Sequence, residues 1–209
     1  MRVKICGITS IEDALAACEA GADLLGFNFA PEAKKRNRYI DPDDAQRIIE
    51  QLPPFVWSVA VTVNEPVERA REYLEFLDYV QLHGEETPDL CAALGRGVVK
   101  AFRLDPGFDV ESILEYRAEA YLLDAFVPGS RGGTGATCDW ERACAAVALG
   151  APIMLAGGLT PENVAEAVRR VRPYAVDTAG GVEAGPGKKD HAKLRRFVHN
   201  AKSALSVSG

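Results

Sequence analysis

A cysteine closes the first apolar run of the chain: Val3, Lys4, Ile5, Cys6, then Gly7, where the backbone can turn sharply. A thiol at such a site can act as a base or nucleophile. An ordinary thiol is only about 3% thiolate at pH 7, so a working base there needs help from a cation such as Lys4 or from a bound substrate. Cys18, Cys91 and Cys144 fall inside helical patterns and read as small buried hydrophobes, as does Cys138. The second chemical candidate is Asp124, in Tyr121-Leu122-Leu123-Asp124-Ala125-Phe126. A carboxylate inside an apolar run is costly unless it is paired, protonated or at work. As a general acid it must carry its proton at neutral pH, which burial favours. Asp177 raises the same question, but it stands nearer a glycine-rich loop, where structural hydrogen bonding is the plainer reading. His83, in Gln81-Leu82-His83-Gly84, is a candidate ligand contact.

Two glycine pairs suggest an anion. Gly157-Gly158 ends one apolar run just before Thr160-Pro161, and Gly180-Gly181 follows Asp177-Thr178-Ala179. Glycine lets backbone N–H groups approach a phosphate closely, and a helix start adds a favourable dipole. The basic run Lys34 to Arg38 reads either as a solvated loop or as the source of an arginine that grips a carboxylate bidentately. Gly129 to Gly135 reads as a flexible loop that could exclude water.

The elements that position these residues follow from the apolar pattern. Eight short runs recur: "VKICGI", "LLGFNF", "WSVAVTV", "YVQLHG", "VVKAF", "AYLLDAF", "IMLAGG" and "AVDTAGG". Each is strand length and mostly apolar on both faces, as in a parallel sheet covered on both sides. Helical stretches lie between them. Thr9 or Ser10 caps the first, and proline follows a cap at Asp41-Pro42, Asn64–Pro66, Thr87-Pro88 and Thr160-Pro161. The stretch from Asp190 reads as a closing helix. Eight strands alternating with about eight helices predict a single-domain (β/α)8 TIM barrel over 1–209. An open doubly wound sheet is the alternative, but "CGIT" after the first strand lacks the expected GxGxxG spacing. In a barrel, Cys6, Asn28, His83, Arg103, Asp124, the glycine pairs and Asp177 stand at strand C-termini, where active sites lie.

Composition narrows the partners. The net charge of −6 disfavours nucleic acid and anionic membrane, and backbone donors suit a phosphate without adding cations. No run nears the ~18 apolar residues of a membrane span, and no signal peptide is evident at the N-terminus. Five cysteines without a CxxC pair argue against a disulfide framework and a zinc site, and fit a reduced, cytoplasmic compartment.

Taken together, "KICGIT", "QLHG", "LLD", "GGTG" with "DW", "LAGGLTPENV" and the stretch from Gly181-Val182-Glu183 to Lys189-Asp190 resemble the phosphoribosylanthranilate isomerase family of tryptophan biosynthesis, along nearly the whole chain. The resemblance implies a (β/α)8 barrel and an Amadori rearrangement of N-(5-phosphoribosyl)anthranilate. It implies no metal and no organic cofactor. It puts the catalytic thiol on Cys6 and the general acid on Asp124. His83 matches the family histidine. The arginine for the anthranilate carboxylate falls on Arg38, with Arg36 as its rival because "PEAKKRNRY" is a long loop. Phosphate falls on backbone N–H groups near Gly157, Gly158, Ala179, Gly180 and Gly181. The family's "DVSSGVE" is "DTAGGVE" here, which removes two hydroxyls at Ala179 and Gly180, and its "GGTGKTFDW" is "GGTGATCDW", with Ala136 and Cys138. The related histidine-biosynthesis barrel isomerase would pair two aspartates, against Cys6. A ribulose-phosphate epimerase would want several metal ligands at strand ends. A phosphoribosyl sensor has no need of both Cys6 and Asp124. The expected partner is a small anionic phosphosugar, and the assembly is a monomer or a homodimer.

Overall fold

The computed structural model of the chain describes residues 1–126 and 137–205. The expected lid at Gly129 to Gly135, and Ala136 beside it, lie outside the described residues. Eight parallel strands close a barrel in chain order: β1 (Arg2–Cys6), β2 (Leu24–Asn28), β3 (Trp57–Thr62), β4 (Tyr79–Leu82), β5 (Val98–Leu104), β6 (Ala120–Ala125), β7 (Ile153–Leu155) and β8 (Ala175–Thr178). Each corresponds to one of the eight apolar runs. A short antiparallel hairpin, β9 (Glu183–Gly185) with β10 (Lys188–Lys189), follows the last barrel strand.

Alternation along the strands sorts the side chains into two layers. Leu24, Val59, Val99, Ala101, Leu122, Met154 and Ala175 fill the barrel interior. Val3, Ile5, Leu25, Phe27, Val80, Leu82, Leu123 and Val176 face outward into the shell between strands and helices. Cys6, Gln81 and Asp124 share the inward parity, one step nearer the C-terminal rim.

Around the barrel run α1 (Ile11–Glu19), α2 (Pro42–Ile49), α3 (Val67–Tyr73), α4 (Pro88–Leu94), α5 (Trp140–Ala148), α6 (Val164–Val171) and α7 (His191–Ser203). Ser10 Oγ caps α1 by accepting from the Asp13 N–H at 3.2 Å. Asp41 and Thr87 cap α2 and α4 with proline next in line, as expected. Two expected caps are displaced. Pro66 itself occupies the cap of α3, while Asn64 adopts φ +54° in the loop before it and hydrogen-bonds to Glu86. Thr160-Pro161 forms a turn closed by Asn163 Oδ1, and α6 begins only at Val164. Between β5 and β6 a 3-10 turn (Val110–Glu115) replaces the expected eighth helix. Pro106-Gly107 turns the chain immediately after β5, and the segment that follows closes only this 3-10 turn before β6 begins.

Candidate active site

The C-terminal strand ends surround a cavity of about 710 Å³, within the usual range for small-molecule sites. All nine residues expected to act there line it: Cys6, Arg38, His83, Asp124, Gly157, Gly158, Ala179, Gly180 and Gly181. Arg36 also lines it. Arg103 instead turns to Glu85 at 3.2 Å and the ring of Phe126. Asn28 lines the cavity, its side-chain Oδ1 accepting the Ala30 N–H at 3.0 Å.

Cys6 stands on β1 beside a fully buried ammonium. Lys4 is 0% exposed, and its Nζ donates to Asp177 Oδ1 at 2.9 Å across the seam between β1 and β8. Burial opposes the Lys4 charge, but Asp177 and the Cys6 thiol outweigh it and hold the ammonium above its ordinary pKa. Gly26, paired with Cys6 in register, makes this fit. A Cβ there would stand 3.0 Å from Cys6 Sγ and 3.1 Å from Lys4 Nζ. Asp177 therefore takes the structural part expected of it, and the same salt bridge sets a positive charge against the thiol.

Asp124 stands on β6, buried. Its Oδ1 accepts the Ala125 N–H at 2.8 Å, and its Oδ2 lies 3.5 Å from His83 Nε2. Gly157, at φ +79°, packs so closely behind it that a Cβ would meet Asp124 Oδ1 at 3.1 Å and the Ala125 nitrogen at 2.7 Å. Cys138 is buried nearby. Its thiol is pushed up to about 12, chiefly by burial and then by the Asp124 and Asp139 charges, which marks it as an inert filler.

Arg38 reaches the cavity because its loop folds back on β2. After the 3-10 turn Pro31–Arg36, Asn37 takes φ +50°, and Tyr39 bridges to Asn28. The guanidinium is gripped by Glu183, with Nε on Oε1 and Nη2 on Oε2, both at 2.8 Å. Neither bond uses Nη1. Behind them, buried Lys189 donates to Glu183 Oε1 at 3.2 Å and to the Cys6 carbonyl at 2.7 Å. Burial pulls Lys189 below its ordinary value despite Glu183. Burial would raise Glu183, but the hydrogen bond from Arg38 and the charge of Lys189 bring it below the usual carboxylate range.

The two glycine loops meet backbone to backbone. A Cβ on Gly181 would stand 1.9 Å from the Leu159 carbonyl oxygen, which also accepts from Thr178 Oγ1 at 2.8 Å. Among the described residues, no backbone bond outside strands and helices takes the N–H of Gly158, Gly180 or Gly181. These donors suit an anion at the β7 and β8 ends. Among the described residues, no three His, Cys, Asp or Glu side chains cluster as metal ligands.

Sequence reading overlooked Gln81, Gly26, Glu183 and Lys189. Gln81 and Gly26 carried a signal: a polar residue, and a glycine, inside apolar strands. Glu183 and Lys189 stood only within the stretch that carries the resemblance; the pairing of Glu183 with Arg38, remote along the chain, had no local signal.

The model of the family described as N-(5'phosphoribosyl)anthranilate (PRA) isomerase matches residues 3–200. The N-(5'-phosphoribosyl)anthranilate isomerase of Geobacter metallireducens is 52% identical over 205 residues, covering 97% of this chain and all of that one. Among solved structures, PRA isomerase in complex with reduced 1-(o-carboxyphenylamino)-1-deoxyribulose 5-phosphate is 44% identical with a TM-score of 0.84, covering 97% of this chain and 99% of that one. Monomers generated from the dimeric enzyme of Thermotoga maritima are 45% identical with a TM-score of 0.85, at the same coverage. Sequence and barrel thus agree from end to end, and the chain belongs to the phosphoribosylanthranilate isomerase family of enzymes.

Proposed function

We propose that this enzyme converts N-(5-phosphoribosyl)anthranilate to 1-(2-carboxyphenylamino)-1-deoxyribulose 5-phosphate in tryptophan biosynthesis, by an Amadori rearrangement with Asp124 as general acid and Cys6 as general base. The observation that carries the assignment is one cavity holding a buried carboxyl on β6 and, on β1, a thiol with an ammonium against it. Asp124 gives its proton to the furanose ring oxygen. The C1–O bond breaks, and the anilino nitrogen supplies the electron pair that makes the Schiff base. Cys6, as thiolate, takes the proton from C2, and the C–H electrons pass through C1 to nitrogen. The resulting enolamine tautomerises to the ketose. Lys4 offers the thiolate a hydrogen bond and a charge already balanced by Asp177. Each of these steps passes a proton between enzyme and substrate and shifts an electron pair within the substrate, so the chemistry calls on neither a metal nor an organic cofactor.

Arg38, oriented by Glu183, presents Nη1 to the anthranilate carboxylate, and the amides of Gly157, Gly158, Ala179, Gly180 and Gly181 hold the phosphate. Both readings rest on where these groups line the cavity. The ligand is a small anionic phosphosugar. Five free cysteines support a reduced, cytoplasmic compartment, and the enzyme acts as a monomer or homodimer.

The test is turnover of freshly made substrate, followed by loss of its fluorescence. Cys6→Ser and Asp124→Asn are each expected to lower kcat by about 10² to 10⁴ with normal melting curves. Wild-type rates in either variant would remove that residue from the mechanism.

A further inference from the structure

Beside the acid stand two buried polar atoms without a hydrogen-bond partner among the described residues, Gln81 Oε1 and His83 Nε2. Gln81 is 1% exposed on β4, facing into the barrel, and His83 follows at the end of the same strand. Between them is one short contact, 2.8 Å from Gln81 Nε2 to His83 Nδ1. An amide nitrogen can only donate, so Nδ1 accepts and a neutral ring carries its proton on Nε2. That edge faces Asp124 Oδ2 at 3.5 Å. The other carboxyl oxygen is already served by the Ala125 N–H. The amide turned end for end would present Oε1 to an Nδ1–H and leave a lone pair on Nε2, so the arrangement decides what Asp124 meets.

We propose that Gln81 is a positioning residue for proton transfer at Asp124: its side-chain amide holds His83 in the tautomer that presents Nε2–H to Asp124 Oδ2. The proposal rests on Asp124 being the general acid. When Asp124 gives its Oδ2 proton to the ring oxygen, the O–H electron pair stays on the carboxylate. The Ala125 N–H then meets one oxygen and the His83 N–H the other, and neither gives up its proton. In the protonated form that acts as the acid, negative charge develops on Asp124 as that proton leaves. The His83 contact therefore strengthens towards the transition state and acts on kcat rather than on ground-state binding. A 3.5 Å approach in the free enzyme is long for a bond, and such contacts commonly tighten in the reacting complex.

Nitrogen-15 NMR of the histidine-labelled enzyme reads the tautomer directly. The chain has three histidines, and the His83 signals are those missing from His83→Asn. In wild type at neutral pH, Nδ1 is expected to be unprotonated and Nε2 protonated. Gln81→Glu, whose carboxylate accepts, should move a proton onto Nδ1. Gln81→Met keeps the length and loses the donor. It should lower kcat about tenfold with KM within about twofold, and cost nothing further in a His83→Asn background. A wild-type ring protonated on Nδ1 overturns the proposal, and that reading needs no variant to fold. Wild-type kcat in both Gln81 variants, with native melting, overturns it as well. If Asp124→Asn is active, the acid assignment fails instead; if Asp124→Asn is inactive while the Gln81 variants turn over normally, only the role of Gln81 falls.

Discussion

A methyl group added at position 26 would press on both the thiol and the ammonium, 3.0 Å from Cys6 Sγ and 3.1 Å from Lys4 Nζ. Neither can yield far, since Lys4 is tied to Asp177 and Cys6 lies on the strand itself. Gly26→Ala should therefore shift the Cys6 thiol by a few tenths of an ångström and, with Cys6 as the proposed base, lower kcat/KM about tenfold with the fold intact. Steady-state kinetics beside circular dichroism checks this. Glu183 gives a second prediction. Its carboxyl is buried, yet Arg38 and Lys189 hold its pKa below the ordinary 4.5. A depressed carboxyl stabilises the fold fully above its unfolded pKa, and that contribution is lost as pH falls through the folded one. The melting temperature of wild type should exceed that of Glu183→Gln near pH 7, and the gap should narrow as the pH drops below about 4.5. Calorimetry of both proteins across that range decides it; a constant gap would mean the carboxylate is not linked to folding. Among single residues, Cys6 and Asp124 were legible because each is polar at the inward end of an apolar run. Lys4 was legible as a basic residue, but its partner was not.

The loop that carries Arg38 and the β9–β10 hairpin form one element in practice. Gly187, at φ +78°, lies so close to Asn37 that an added Cβ would stand 1.9 Å from the Asn37 carbonyl oxygen. The Gly187 carbonyl in turn accepts from Thr9 Oγ1 at 3.1 Å. Gly187→Ala meets both a strained dihedral and a backbone clash, so the Arg38 loop must move. KM should rise severalfold with a smaller change in kcat, and the melting temperature should fall by a few degrees. Substrate titration and thermal melts measure the two effects. The strands were legible because a sheet buried on both faces demands short continuous apolar runs. Helix starts were legible where the cap uses its own neighbours, as at Ser10, Asp41 and Thr87. They were displaced where another group took over: Asn163 closes the turn at Thr160. Asn64 looked like a cap but is held by Glu85 and Glu86, residues of the next loop.

At the scale of the whole barrel, Lys4 and Asp177 join the first strand to the last. Removing one partner strands a buried charge. Lys4→Met should cost about 3–5 kcal/mol, a fall in melting temperature on the order of 10 °C. The double variant Lys4→Met with Asp177→Leu removes both charges and should regain most of that loss, yet stay far below wild-type turnover because the thiol has lost its ammonium. Melting and turnover of the two variants separate stability from chemistry: recovery of both together would show that the pair serves only closure.

By itself the sequence determined the fold class, the inward parity of Cys6 and Asp124 and the glycine loops at the last two strand ends. Those features depend on local periodicity and on residue type. The tertiary structure decided which groups complete the site. Lys4 meets Asp177 because the barrel closes, Arg38 meets Glu183 because its loop folds back over β2, and Gln81 meets His83 because strand parity points both inward. The first two contacts are set by closure and loop path, which bring together residues far apart in the chain, and no local pattern encodes them.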